Sequence, residues 1–237
     1  MRRLRWALGA TKGAELTKSE LQEALAALYL RLNGYFVSGF IAHAPTGNRT
    51  EIDILAVRFP GQREPEREIG LCKVLGPSPK YVEFVVGEVK GGSKHPQFNA
   101  NFRERPEAIR SVLNRFGAMR EDEVDALLEK IRDLLEPQAV IRSQTFPQID
   151  TSAGLLRFIL FAPEQTRPKA DGSLIYGDDM IQYIWECMRP DERRADCATN
   201  YNRTLWGHQF NPLVAYFKDP GRKNPGSIAE LCKHVGV

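Results

Sequence analysis

Apolar residues along this chain recur with two periods, three to four residues in some stretches and two in others. The alternation between the periods lays out an order of helices and strands. The first helical stretch follows Thr17-Lys18-Ser19-Glu20, a T-x-x-E sequence in which the two side chains can satisfy each other's free backbone N–H groups. The spacing predicts a helix to about Asn33, stopped at Gly34. Leu21, Leu25, Leu28 and Leu32 form one stripe. Ala26, Ala27 and Leu30 make the other side apolar too, which predicts burial on both sides.

The period then shortens. Tyr35 to Ala42 is predicted as a strand and Pro45-Thr46-Gly47-Asn48 as a turn. Glu51 to Arg58 is predicted as a second strand, with Ile52, Ile54 and Ala56 on one face and Asp53, Leu55 and Val57 on the other. Residues 60–79, rich in Pro, Gly and charge, read as a long loop with a short strand near Ile69 to Val74. Tyr81 to Lys90 is the next strand, ended by Gly91-Gly92. Helical spacing returns at Pro106 to Phe116 and Asp122 to Leu135, followed by strands at about Ala139 to Thr145 and Leu155 to Ala162, and a helix at Asp178 to Met188. Helices mixed with strands in this order predict an α/β fold, a mixed central sheet flanked by helices. The expected organisation is an N-terminal arm (1–16), a core (17–189) and a helical to irregular extension packed on that core (190–237).

Composition narrows the picture only modestly. With 42% hydrophobic and 27% charged residues, 237 residues can bury a core without disulfides or a structural metal. A net charge of +3 excludes a histone-like profile and permits nucleic-acid binding only through a local basic groove. Cys72, Cys187, Cys197 and Cys232 form no C-x-x-C pair and read as separate reduced thiols. The first ten residues lack the apolar length of a signal peptide, and no run is long enough to span a membrane, so a cytoplasmic protein is expected. There is no phosphate-binding Gly-rich loop, nucleophile elbow or dinucleotide fingerprint.

The informative residues are the ionic ones inside apolar strands. Asp53 interrupts Ile52-Asp53-Ile54-Leu55, and Glu88 and Lys90 end Val82 to Lys90 on the side shared by Val82, Phe84 and Val86. An unpaired buried carboxylate costs several kcal/mol, roughly, and two brought together repel. A hard divalent cation with oxygen ligands removes both penalties and keeps water for chemistry, while a neighbouring ammonium stabilises charge developing on a phosphate. The plainer alternative is a surface Glu88–Lys90 ion pair, with Asp53 facing a turn.

Asp53 within Glu51-Ile52-Asp53-Ile54, followed by Glu88-Val89-Lys90 at the end of a hydrophobic strand, resembles the signature of the PD-(D/E)XK nuclease superfamily. The proline of that signature is absent, since Ile52 precedes Asp53. The resemblance extends to Glu23 on a helix ahead of Gly34-Tyr35; Glu20 is already explained by capping. It spans about Leu16 to Gly92, with a looser match of element order to Met188. It implies a restriction-endonuclease-like fold and Mg²⁺-dependent hydrolysis of phosphodiesters, with Mn²⁺ as a substitute. Asp53, Glu88, the carbonyl of Val89 and Glu23 would hold the metal. Lys90 would orient water or stabilise the transition state; an ordinary lysine, titrating at about 10.4, is a poor general base. The expected enzyme is an endonuclease of restriction, defence or DNA-processing type, acting on DNA in preference to RNA, as a homodimer or with partner proteins. The alternative is a catalytically silent nuclease-fold module that binds nucleic acid or a partner protein.

Lesser candidates surround this set. Lys94, His95, Gln97, Asn99 and Arg103, with Asn101, Arg105, Phe98 and Phe102 among them, suit backbone and base contacts but equally a solvated loop. His43 reads as exposed, and Asp178-Asp179 as a helix cap. Arg189, Arg193, Arg194 and Arg203 read as a solvated face, and Trp206, His208 and Phe210 as packing residues or base stackers.

Overall fold

A computed structural model describes residues 16–43, 49–61, 69–76, 80–92, 96–137, 145–167, 173–189 and 207–237. Helix α1 (Lys18–Leu32) starts where the capping box predicts: Glu20 N–H donates to Thr17 Oγ1 at 3.2 Å, and Thr17 N–H donates to Glu20 Oε2 at 2.7 Å. Leu21, Leu25, Leu28 and Leu30 are fully buried, so the helix is covered on both of its apolar sides.

Among the described residues six strands follow: β1 (Phe36–His43), β2 (Arg49–Arg58), β3 (Glu83–Val89), β4 (Gln148–Thr151), β5 (Gly154–Ala162) and β6 (Leu174–Tyr176). They form one mixed open sheet in the order β1-β2-β3-β5-β4, with β6 also pairing β5. β3 and β5 run parallel, β5 and β6 run parallel, and the other neighbours are antiparallel. The helices after α1 are α2 (Ala100–Glu104), α3 (Pro106–Phe116), α4 (Glu121–Leu134), α5 (Gly177–Met188), α6 (Asn211–Lys218) and α7 (Ile228–Val235).

The sheet divides the core in two. On one side Ile54, Ala56, Val85, Ile159 and Phe161 pack with α1, α5, α6 and α7; on the other Ile52, Leu55, Phe84, Val86, Phe158 and Leu160 pack with α2, α3 and α4. The mixed, helix-flanked architecture read from the sequence is thus present. Phe210, Leu213, Phe217 and Leu231 are buried in the first half, so residues 207–237 complete that core. Among the described residues no helix is long and apolar enough to cross a membrane.

The local expectations need three corrections, and two others fall outside the described residues. First, Ile52 and Ile54 do not share a face. Ser38 pairs Leu55 and Phe40 pairs Ile52, so Asp53 and Ile54 together oppose the single residue Gly39. This is a β-bulge, and it breaks the period of two at Asp53. Second, residues 69–74 form no strand; a 3₁₀ turn, Lys73–Leu75, follows irregular backbone. Side chains satisfy that backbone instead: Cys72 N–H donates to Asn33 Oδ1 at 2.8 Å, and Tyr183 Oη–H donates to the Gly70 carbonyl at 3.2 Å. The strand expected at Ala139 to Thr145 lies outside the described residues except at Thr145, which is in a bend. Third, β4 and β6 are additional to the strands read from the sequence. β4 is a polar four-residue edge strand and β6 only three residues long, so neither carries a readable period. The turn expected at Pro45 to Asn48 also lies outside the described residues.

A buried ionic cluster joins β2, β3 and β5 away from Glu88. Arg58 Nη2 and Nε donate to Glu83 Oε2 at 2.7 and 3.1 Å, and Arg157 Nη1 lies 2.8 Å from Glu83 Oε1. Arg58 and Glu83 are 2% and 0% exposed. The Arg58 guanidinium also lies over the Tyr35 ring, 4.6 Å from its centroid.

Candidate active site

The site forms where β2 leaves β3. Their ladder runs from Arg58↔Glu83 to Ile54↔Gly87. Beyond it the bulge offers a side chain in place of backbone: Val89 N–H donates to Asp53 Oδ2 at 2.7 Å. β3 continues beside β5 through Glu88↔Leu160 and Val89↔Phe161, and Lys90 N–H donates to the Phe161 carbonyl at 2.8 Å. Gly87 makes this junction tight. A Cβ there would stand 2.9 Å from Phe161 Cε2 and 3.1 Å from Ile54 Cβ. The backbone carrying Glu88, Val89 and Lys90 is therefore held from both sides.

Glu88 is 0% exposed, which rules out the surface ion pair. Its Oε2 accepts from Asn99 N–H at 2.8 Å and lies 2.9 Å from Lys90 Nζ. Its Oε1 is buried without a hydrogen-bond partner among the described residues. Burial pushes the carboxyl up to about 7; Lys90 and the Asn99 N–H pull it down, and the charge of Asp53 pushes it up again. Lys90 Nζ donates to Asn99 Oδ1 at 2.7 Å, and its side chain remains 22% exposed. The ammonium is thus held between a carboxylate and an amide oxygen while still reaching solvent.

Asp53 is half-buried, and burial raises its carboxyl above the ordinary range, against the pull of the Val89 N–H and of Lys90. Glu23 on α1 is raised by burial first and by the charge of Asp53 second, with a Ser19 hydrogen bond opposing. The charge of Asp53 therefore acts on both Glu23 and Glu88. The expected set is only partly assembled, because among the described residues no three His, Cys, Asp or Glu side chains converge as metal ligands. The expected cage of Asp53, Glu88 and Glu23 is therefore not assembled as a three-carboxylate group among the described residues.

The donor set nonetheless suits a divalent cation. It offers hard carboxylate oxygens from Asp53 and Glu88, and one of them, Glu88 Oε1, is buried without a hydrogen-bond partner among the described residues. The site lies at the carboxyl ends of the parallel strands β3 and β5, where α/β sheets commonly place ligands.

The loop after β3 is used differently from expectation. Asn99 was a candidate nucleic-acid contact, but its N–H and Oδ1 are engaged by Glu88 and Lys90. Arg103 turns inward, its Nε donating to the Phe98 carbonyl at 2.9 Å. Phe98 and Phe102 are core residues, which is what draws this segment down onto the sheet. Gln97 is half-buried, and Lys94 and His95 lie outside the described residues. So do Arg193, Arg194, Arg203, Trp206 and the side chain of His43. Asp179 accepts from Tyr176 N–H at 3.2 Å and pairs with Arg167 at 2.6 Å, as a capping residue should.

Two residues at the strand end carried no signal in the sequence. Gln22 Nε2 donates to Glu164 Oε1 at 2.6 Å, and both side chains lie against Gly91. They are 142 positions apart, and no local pattern announces such a pair. Comparison with protein-family models, curated proteins and solved structures gives no match to this chain.

Proposed function

We propose that this chain is a metal-dependent nuclease with a restriction-endonuclease-like form of the α/β fold, hydrolysing phosphodiester bonds in DNA in preference to RNA. The observation that carries this reading is the buried Oε1 of Glu88, without a hydrogen-bond partner among the described residues, at a strand end shared with Lys90 and next to the bulged Asp53. Folding keeps a costly carboxylate there, and a cation with oxygen preference relieves the cost.

In this reading Asp53, Glu88 and the Val89 carbonyl hold Mg²⁺, or Mn²⁺ in its place, with Glu23 acting on the site from beyond Asp53. The bound ion supplies water activation and charge neutralisation at the phosphate. Lys90, fixed by Glu88 and Asn99, brings a positive charge against the phosphate oxygens. Asn99 positions Lys90.

The test is cleavage of supercoiled DNA, linear DNA and RNA by the purified chain with Mg²⁺ or Mn²⁺, beside Asp53→Ala and a chelator control. Metal-dependent cutting that Asp53→Ala reduces by roughly 10²–10³-fold is the expected result. No cleavage of any substrate by the folded wild type ends the enzyme reading. One observation favours a silent nucleic-acid-binding module instead: Lys90, Glu88 and Asn99 satisfy one another, and three metal-ligating side chains do not converge among the described residues. That module would bind DNA with strong salt dependence and without turnover.

A further inference from the structure

A buried amide reaches the same strand end from the helix side. Gln22 is only 4% exposed and precedes Glu23 on α1. Its Nε2 donates to Glu164 Oε1 at 2.6 Å, and Glu164 lies two residues beyond the end of β5. Lys18 Nζ, 2.7 Å from the same oxygen, neutralises that carboxylate. Together Lys18 and Gln22 hold Glu164 below the usual carboxylate range.

The other end of the Gln22 amide meets the turn after Lys90. A Cβ on Gly91 would stand 2.3 Å from Gln22 Oε1 and 3.0 Å from Glu164 Oε1. One side chain therefore ties α1, the end of β5 and the turn ending β3 at a single point. Its apolar neighbours Leu21 and Leu25 already fill the core, so hydrophobic packing does not explain a glutamine here. A buried amide is retained at a desolvation cost, and this one spends its hydrogen bond on fixing α1 lengthwise against the sheet.

That position matters because Gly91 directly follows Val89 and Lys90, so the seat of this turn against Gln22 bears on the backbone that carries them. Resting on the nuclease reading above, we propose that Gln22 is a positioning residue. By fastening α1 to Glu164 and seating the Gly91 turn, it sets the backbone at Val89 and Lys90 and so sets how tightly the site holds its divalent ion. Glu164 is the anchor, and Gly91 leaves the space for it.

The test uses the full chain and Mn²⁺ alone as ligand, with calorimetric Mn²⁺ binding beside the Mn²⁺ dependence of cleavage. Gln22→Ala and Glu164→Ala are expected to weaken Mn²⁺ binding by about 10–100-fold, the effect typical of groups that orient metal ligands. The rate at saturating Mn²⁺ should be largely kept. Gly91→Ala, which pushes the amide away from the opposite side, should do the same. Glu164→Gln, which still accepts the Gln22 hydrogen bond, should restore wild-type affinity; a general loss of packing would not be rescued this way. Mn²⁺ binding that depends on Asp53 but is unchanged in Gln22→Ala and Gly91→Ala overturns the positioning role alone. Absence of any Asp53-dependent Mn²⁺ binding in the wild type overturns it together with the nuclease reading.

Discussion

Replacing Glu88 with glutamine is expected to abolish cleavage and, in the same protein, to flatten the dependence of stability on pH. Burial holds the Glu88 carboxyl at about 7 in the folded chain, against an ordinary value of 4.5. A carboxyl raised by folding binds its proton more tightly in the native state than in the unfolded one. Its contribution to stability is therefore full below about pH 4.5 and is lost as pH rises through 7. At 1.36 kcal/mol per pH unit, the loss is on the order of 3 kcal/mol. Glutamine has no proton to lose. The stability difference between variant and wild type should thus move by about that amount in the variant's favour between acid and mildly alkaline pH, measured by urea unfolding with chelator present. Asp53 and Glu23 are raised too, but they titrate in both proteins and largely cancel in the difference. Mn²⁺ should reverse the order, because an ion that binds ionised Glu88 stabilises only the wild type by mass action. Cleavage should fall by roughly 10²–10³-fold or more. A difference that stays flat with pH would mean that Glu88 is ionised at little cost, and the argument for a cation beside it would fail.

That trade between stability and charge is also what made the strand residues visible beforehand. Asp53 and Glu88 sit in runs of apolar residues where period and hydrophobicity demand burial, so their charge asks for an explanation from the sequence alone. The capping box at Thr17 and the two-sided apolar pattern of α1 were legible for the same reason, since the information lies within one or two turns. The bulge was not. Whether Asp53 shares a face with Leu55 or is displaced depends on how Gly39 pairs across β1, and pairing is a property of two strands. Asn99 was read as a solvent-facing polar residue because its partners, Glu88 and Lys90, are set by the burial of Phe98 and Phe102 beside it. Gln22 and Glu164 meet only because β5 ends beside β3. Long-range polar pairs of this kind leave no periodic trace, whereas the carboxylates they support do.

Glu83 offers the opposite case on the same strand, and Glu83→Ala is expected to be the most destabilising single change in the sheet. Glu83 opens β3 and Glu88 stands next to its last residue, five positions on, so alternation points the two side chains to opposite faces. Both are fully buried, but Glu83 has cationic partners on both oxygens, Arg58 at 2.7 Å and Arg157 at 2.8 Å. Removing it leaves the 2%-exposed Arg58 with its charge uncompensated by this carboxylate. Breaking a buried pair from one side typically costs about 3–5 kcal/mol. At about 2–4 °C per kcal/mol for a chain of this size, the melting temperature should drop by roughly 6–20 °C. Arg157 has other support, donating to the Leu75 carbonyl at 2.8 Å and to Gln148 at 3.2 Å, so the damage should centre on Arg58. Replacing both partners, Arg58→Met with Glu83→Leu, removes the desolvated charges together and should recover most of the loss, since apolar substitutes for buried pairs are often neutral or stabilising. Urea unfolding of the four corners of that cycle isolates the coupling. Cleavage per folded molecule should persist throughout, because this cluster lies at the far end of β3 from Lys90. If Glu83→Ala lost less than about 1 kcal/mol, the cost assigned to breaking the Arg58–Glu83 pair from one side would be wrong. Burial of a carboxylate would then be cheap in this sheet, and the weight placed on Glu88 would fall with it.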